Sequence, residues 1–271
     1  MGSGIAQVAA VAGFTTIQYD VAEPMLQKSS AAMEAGLHMM VQKGKLTEQE
    51  ASAAAARISY TTQFQACVAD IIIEAIAERL DIKQELFNKL AGINSAGCIL
   101  ASNTSSLSIS QLQQGIAIPG RVAGMHFFNP APVMQLVEIV KGKQSTDSTI
   151  NLLYDLAKAM GKTPVHCQDA PGFIVNHVAR PYYLNALRMV EEGLCTPQQA
   201  DDALRAAGFK MGPFALMDLI GIDINYKASH QVWQDLGRPS RLQPSGLQAA
   251  RVEAGKLGRK TGEGFYTYEQ K

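Results

Sequence analysis

The sequence carries no excess charge of either sign, because 24 lysine and arginine residues balance 24 aspartates and glutamates. Without a net field the protein has no long-range attraction to nucleic acid or to an anionic membrane, so neither is an expected partner. Cysteine is scarce as well: four residues lie far apart with no Cys-x-x-Cys pair, and the five histidines lack metal-ligand spacing. These absences predict reduced thiols, no bound metal and a cytoplasmic protein.

A long apolar run is also missing. The first 19 residues are uncharged, as in a signal sequence, but no basic residue precedes them, and glycine, glutamine and threonine interrupt them. The same interruptions exclude a membrane-spanning helix there. With 271 residues, of which 47% are apolar and 18% charged, the chain has the composition of a globular protein of one large or two medium domains. This composition excludes disorder and coiled coil.

Short β-rich runs alternate with helical stretches in the first part of the chain. The predicted strands cover residues 15–20, 69–74, 98–102, 122–127 and 136–140. Alternation of this kind predicts an α/β fold, in which helices wrap a parallel sheet. Further along, the predicted elements are amphipathic helices over residues 173–193, 196–207 and 214–236. We therefore expect an α/β domain over residues 1–169 and an all-α domain over residues 170–271.

A helical hairpin is inserted after the first predicted strand. Pro24 can open its first helix, Gly44 can end it, and Thr47 with Glu50 forms a capping box for its second helix. The tip, residues 42–45, is basic, which suits either a solvated loop or a segment that grips a phosphate.

Asp20 ends the first predicted strand, 18 residues after Gly2. In dinucleotide-binding folds an acidic residue about 20 positions beyond the glycine loop binds the adenosine ribose, and its charge favours NAD over NADP. A helix cap or turn residue is the alternative interpretation of Asp20. Of the Gly-x-Gly-x-x-Gly fingerprint only the third glycine is matched, by Gly2, where helix and strand pack closely.

Polar and charged residues also stand at the ends of later strands. Ser105 follows the strand that ends near residue 102, at the edge where open α/β sheets bind ligands, although a cap for the next helix explains it too. His126 ends an apolar strand, and Glu138 lies in the next one, 12 residues later. If the chain turns back between them, the carboxylate orients the imidazole as a general base or acid. A core histidine with satisfied hydrogen bonds is the alternative.

Two further clusters lie in the helical part. Asn176 belongs to the first turns of its first helix, so its amide can bond His126 or a substrate, or can simply pack two domains together. Residues 258–266 form a basic, glycine-rich turn that contains Lys260, which suits a phosphate contact or an ordinary loop.

In this order the motifs resemble the 3-hydroxyacyl-CoA dehydrogenase family, especially its bacterial 3-hydroxybutyryl-CoA and 3-hydroxyadipyl-CoA members. The resemblance covers essentially the whole chain. It rests on the segments Ser102–Ser106, His126–Pro130, Pro171–Asn176, Met211–Pro213 and Lys260–Tyr266. It implies a Rossmann-like NAD-binding domain with an inserted helical hairpin, NAD as the cofactor, and reversible oxidation of a short-chain L-3-hydroxyacyl-CoA to the 3-oxoacyl-CoA.

The resemblance also implies roles for single residues. It makes His126 the catalytic base, Glu138 its carboxylate partner, and Ser105 and Asn176 the polar groups that hold the C3 oxygen of the substrate. The residues implied at the cofactor are Gly2, Asp20, Glu78, Lys83, Ser105, Asn129 and Lys260. Those implied at the coenzyme A portion of the substrate are Lys43, Lys83 and Ser105. Some members of the family have a serine that contacts coenzyme A, and this sequence has Gly36 at that position, so the contact is expected to be absent. The resemblance also implies a homodimer through the helical domain.

The start of the sequence departs from the family pattern, because the family's first strand and the head of the glycine loop do not precede Gly2. That strand is central in the family's sheet, so we expect a truncated sequence whose sheet has unpaired edges. The departure keeps a non-enzymatic alternative open, namely a crystallin-like or cofactor-free binding protein. A dehydrogenase of free hydroxy acids is not supported, because the hairpin with Lys43 then has no ligand.

Overall fold

A computed structural model of the protein describes residues 1–269. These residues form two compact units that divide after Asp169. The strands of the first unit are β1 (Thr16–Tyr19), β2 (Ile58–Thr61), β3 (Ile71–Glu74), β4 (Ile99–Ser102), β5 (Val122–Phe127), β6 (Leu136–Lys141) and β7 (Thr163–Gln168). Its helices are α1 (Gly2–Val11), α2 (Glu23–Gln42), α3 (Glu48–Ala56), α4 (Leu80–Ile93), α5 (Ile109–Leu112) and α6 (Asp147–Ala159). The second unit contains α7 (Val175–Glu191), α8 (Pro197–Ala206), α9 (Pro213–Ile220), α10 (Ile222–Asp235) and α11 (Gly246–Glu253).

The strands of the first unit form two sheets. One has five strands in the order β3-β4-β5-β6-β7, and within it the β5–β6 pair is antiparallel whereas the other pairs are parallel. In the described residues β1 pairs with β2 alone, in a separate parallel sheet, so β1 and β3 each keep an unpaired edge. The expected α/β fold is confirmed. The pairing of β5 with β6 is antiparallel because the chain turns back between His126 and Glu138, the arrangement that the sequence left open.

Two apolar layers bury the five-stranded sheet. On one side Met125 and Ile139 of the sheet pack against Leu153 of α6 and against α1. On the other side Leu100 packs against Phe87 of α4 and against α5. The all-buried sequence of β4 is typical of a strand that helices cover on both faces. This burial makes any charged side chain in these strands dependent on a partner.

The ends of several helices follow signals read from the sequence. Thr47 and Glu50 form the expected capping box of α3, and Gly44 ends the preceding helix in a left-handed conformation with a φ of 65°. The helix predicted over residues 214–236 is wrong as a single element. Gly221 breaks it with a φ of 105°, a conformation that side chains disfavour, so α9 and α10 are separate helices.

In residues 1–269 no helix has the length and apolar character needed to cross a membrane. The second unit instead buries its apolar helix faces in a core of its own, built around Leu187, Phe214 and Met217.

Candidate active site

His126 and Glu138 lie directly opposite each other in the register of β5 and β6. The Nδ1 atom of His126 is 2.7 Å from Oε2 of Glu138, and only 5% of the histidine and none of the glutamate is exposed. Because a carboxylate can only accept, Nδ1 carries the proton of this contact, and Nε2 is the ring nitrogen that can exchange a proton with a substrate. The side chains therefore meet as the sequence suggests, in an arrangement that suits an oriented general base.

The turn between β5 and β6 is held by a buried lysine. The ammonium of Lys162 donates to the carbonyl oxygens of Ala131 and Met134, at 2.6 and 2.9 Å. Burial lowers the pKa of Lys162, because the charge has lost part of its hydration. Asn129 lies exposed in the same turn, so the lysine orders the segment that carries this predicted cofactor residue.

Ser105 lies in the loop that follows β4, at the same edge of the sheet. The neighbouring Asn103 accepts the backbone N–H of Phe127 at 2.8 Å, and this bond ties the loop to the end of β5 beside the catalytic candidate His126. Ser105 itself is exposed. The cap of α5 is Ser108, whose hydroxyl accepts from the backbone of Gln111, so the capping interpretation of Ser105 is wrong.

The carboxylate of Glu78 accepts several hydrogen bonds from this loop. Its Oε1 accepts from the hydroxyls of Thr104 and Ser106, at 2.5 and 3.0 Å, and from the backbone N–H of Ser105 at 3.1 Å. Burial alone raises the pKa of Glu78, but these hydrogen bonds and the charge of Lys83, 3.3 Å away, outweigh it and place the pKa below its ordinary value.

The lowered pKa of Glu78 predicts an acid-dependent contribution to stability. Since the folded pKa lies below the unfolded value of 4.5, the contribution is present above that pH and is lost as the pH falls through the folded pKa. We expect the difference in unfolding free energy between wild type and Glu78→Gln to shrink as the pH falls from neutral toward about 3. Urea unfolding at both pH values measures it, and a difference that stays constant contradicts the prediction.

Lys83 occupies an unexpected position for a residue that contacts a ligand. It is 1% exposed, and its ammonium donates to Glu74 at 2.5 Å as well as lying near Glu78. In this structure Lys83 therefore forms ion pairs with two carboxylates, those of Glu74 and Glu78. Its contact with a cofactor or with coenzyme A stays a prediction.

The N-terminus of α1 has the features of a phosphate-binding site. The first hydrogen bond of the helix runs from the backbone N–H of Ile5 to the carbonyl oxygen of Met1. The N–H groups of residues 2–4 therefore lie before this bond, in the position from which helix starts bind anions. A Cβ atom on Gly2 would lie 4.0 Å from that of Ala75, which places this helix end beside the end of β3. The tight packing expected at Gly2 falls on Gly4 instead, where a Cβ would approach Pro132 to 3.1 Å.

Asp20 directly follows β1 and is half-buried. Its Oδ1 accepts a hydrogen bond from the backbone N–H of Ala22 at 2.9 Å. Asp20 is therefore a turn residue, the alternative that the sequence left open. Ser29 of α2 bonds both to Ser3 at the start of α1 and to Gln18 near the end of β1, so Asp20 and the N-terminus of α1 lie toward the same end of the first unit. A carboxylate and a glycine-flanked helix start arranged in this way fit the ribose and pyrophosphate of NAD.

The inserted hairpin places Lys43 at the end of α2, where it is exposed. Gly36 lies earlier in this helix and faces α1. A Cβ atom there would come within 2.7 Å of Oε1 of Gln7, so a serine at this position requires Gln7 to move.

The remaining predicted residues belong to the second unit. Asn176 lies at the start of α7, and its carbonyl accepts from Nε of the buried Arg180 at 2.8 Å. Lys260 lies in a short turn, and its ammonium is 2.6 and 2.7 Å from the two carboxylate oxygens of Asp223. An acid on α10 thus sets the position of Lys260.

Glu74 was missed in the sequence, although the signal was present. It is the last residue of the apolar strand β3, and an acidic residue in such a strand needs a partner just as Glu138 does. The roles of Ser102 and Asn103 do not follow from the sequence, because their hydrogen-bond partners, Glu74 and Phe127, lie on other strands.

Comparison with known proteins identifies the family of the chain. Residues 1–170 match the NAD-binding domain of 3-hydroxyacyl-CoA dehydrogenase, and residues 172–268 match the C-terminal domain of the same family. This chain belongs to the 3-hydroxyacyl-CoA dehydrogenase family. The resemblance stated from the sequence motifs is confirmed, and the non-enzymatic alternative is not favoured.

Named relatives cover the whole chain. The 3-hydroxyadipyl-CoA dehydrogenase of Escherichia coli K12 is 43% identical over 99% of this chain, which spans 57% of that protein's length. A probable 3-hydroxybutyryl-CoA dehydrogenase of Deinococcus radiodurans is 40% identical over 99% of this chain and 96% of its own. The crystal structure of (S)-3-hydroxybutyryl-CoA dehydrogenase from Ralstonia eutropha matches with a TM-score of 0.95 at 37% identity, covering 100% of this chain and 96% of the other.

Proposed function

We propose that this family member catalyses the reversible, NAD-dependent oxidation of L-3-hydroxyacyl-CoA to 3-oxoacyl-CoA. The observation that carries the proposal is the buried His126–Glu138 pair, which lies at the sheet edge that also holds the Ser105 loop. Relatives named for 3-hydroxybutyryl-CoA and 3-hydroxyadipyl-CoA support a short acyl chain.

In the proposed reaction His126 moves a proton. Its Nε2 accepts the proton of the C3 hydroxyl during oxidation, and the carboxylate of Glu138 stabilises the imidazolium that results. In the reverse direction the imidazolium protonates the forming alkoxide. Ser105 and Asn176 hold the C3 oxygen, and the bound nicotinamide supplies the hydride chemistry.

The cofactor and coenzyme A contacts belong to the same proposal. Asp20 would hold the adenosine ribose of NAD, and the N-terminus of α1 at Gly2 would hold its pyrophosphate. The other residues assigned to NAD are Glu78, Lys83, Ser105, Asn129 and Lys260. Those assigned to the coenzyme A portion are Lys43, Lys83 and Ser105.

Reduction of acetoacetyl-CoA tests the proposal directly. We expect the protein to bind NADH and to oxidise it when acetoacetyl-CoA is added. NADPH should be a much poorer donor, because the negative charge of Asp20 repels its 2′-phosphate. Failure to oxidise NADH with a series of 3-oxoacyl-CoA substrates would overturn the proposed activity, and equal use of NADPH would overturn the role of Asp20.

Glu138→Gln should lower kcat for acetoacetyl-CoA about 100-fold, toward the low end of what positioned acid–base catalysis contributes. Glutamine keeps the shape of the side chain but loses the charge that stabilises the imidazolium. Steady-state kinetics measure the effect, with the KM for NADH as the control, since Glu138 contacts Nδ1 of His126 and the proposed proton transfer uses Nε2. A variant with wild-type kcat contradicts the role of the pair.

We also propose a homodimer through the second unit. Large apolar side chains are exposed there on helices α7, α9 and α10, among them Val178, Met189, Leu219 and Ile224. Sedimentation of the purified protein tests the assembly, and a strictly monomeric species contradicts it. A cytoplasmic location, expected from the scarcity of cysteine and the lack of a Cys-x-x-Cys pair, is a separate proposal that cell fractionation tests.

A further inference from the structure

Glu74 is a buried acid to which the proposed reaction assigns no role. It ends the apolar strand β3 and is 3% exposed. Its Oε1 accepts from the ammonium of Lys83 at 2.5 Å and from the backbone N–H of Ile76 at 2.7 Å. Its Oε2 accepts from the hydroxyl of Ser102 at 2.7 Å. A charge buried so completely is tolerated because each carboxylate oxygen has a donor.

Both oxygens of Glu74 lead to the loop that carries Ser105. On one route the hydroxyl of Ser102, the last residue of β4, accepts the backbone N–H of Thr104 at 3.2 Å, so Glu74 is linked to the second residue of the loop. On the other route Lys83 bridges Glu74 to Glu78, whose Oε1 accepts the backbone N–H of Ser105. Two routes from one carboxylate therefore reach this loop, one at Thr104 and the other at Ser105.

We propose that Glu74 is a positioning residue that holds Ser105 in place for the proposed reaction. The inference rests on the function proposed for Ser105. The physical reason is the balance of charge, in which one ammonium lies between two carboxylates. If Glu74 loses its charge, Lys83 pairs more closely with Glu78, and the loop donors lose their acceptor to the lysine.

The first test measures the loop itself and needs no catalysis. In Glu74→Gln we expect backbone amides 103–107 to exchange with deuterium about tenfold faster than in wild type. The matched control is Glu85→Gln, which removes an exposed glutamate of α4 that pairs with Lys89. Unchanged exchange in Glu74→Gln overturns the inference, whatever the enzymatic activity proves to be.

The second test connects the loop to the reaction. We expect Glu74→Gln to lower kcat for acetoacetyl-CoA reduction about 10- to 100-fold while the KM for acetoacetyl-CoA changes little. In a Ser105→Ala background the same substitution should have no further effect on kcat, because Glu74 acts through Ser105. Multiplicative losses in the double variant indicate a general structural role and overturn the inference.

A milder variant covers the case in which Glu74→Gln does not fold. Ser102→Ala removes only the hydroxyl between Glu74 and Thr104 and leaves the Lys83 bridge intact. It should accelerate exchange at the start of the loop and lower kcat in the same direction by a smaller factor. If wild type shows no turnover, the proposed function fails, whereas exchange at wild-type rates in Ser102→Ala refutes the positioning role alone.

Discussion

The His126→Gln variant should reduce acetoacetyl-CoA about 10²- to 10⁴-fold more slowly than wild type, which is the contribution typical of a positioned acid or base. Glutamine can still occupy the space beside Glu138, but it cannot exchange a proton with the C3 oxygen. The loss should fall on kcat, because the imidazole acts on the proton that moves in the transition state. Steady-state kinetics with NADH and acetoacetyl-CoA measure it.

His166 provides the matched control for this experiment. It is an exposed histidine of β7 in the same unit, and its ring stacks on Tyr154. The His166→Gln variant should keep the wild-type kcat, and both variants should bind NADH as wild type does. If His126→Gln retains a kcat within a few fold of wild type, the proton-transfer role is refuted, and the buried pair with Glu138 is structural.

The largest effect on stability is expected from Asp218→Ala in the second unit. Asp218 is 1% exposed and accepts the backbone N–H groups of Phe265 and Tyr266, at 2.9 and 3.0 Å, and the hydroxyl of Tyr268 at 2.9 Å. Alanine leaves these donors without their acceptor and frees the C-terminal segment from α9. The free energy of unfolding should fall by about 3 kcal/mol or more, because buried donors that lose a charged partner carry the full cost of desolvation.

Urea unfolding of the full chain measures this loss. The control is Asp235→Ala, which removes an exposed aspartate near the end of α10 whose partner is Gln231. That variant should change the free energy of unfolding by less than about 0.5 kcal/mol. Equal losses in the two variants contradict the role assigned to Asp218.

Some contacts of the candidate site can be predicted from the sequence, and others cannot. The His126–Glu138 contact was predictable because an acid in an apolar strand needs a partner, and the turn-forming residues between the strands bring the chain back. The place of Lys83 was not predictable in this way. Its partners lie on β3 and in the segment before α4, and only the packing of these elements decides that the ammonium points inward.

Local interactions account for what the sequence by itself determined. The capping box at Thr47, the left-handed end at Gly44 and the apolar strands depend on residues a few positions apart, and the ordered motifs identified the family. Gly221 marks the limit, since its positive φ splits a helix that periodicity alone predicts as continuous.

Only the tertiary structure decided which distant residues meet. The separation of β1 and β2 from the five-stranded sheet and the ion pair between Lys260 and Asp223 depend on positions that the local pattern leaves unrelated. The same is true of the route from Glu74 through Lys83 to the Ser105 loop. Strand order and close packing set these contacts, because burying a charge is tolerated only where the folded chain brings a partner to it.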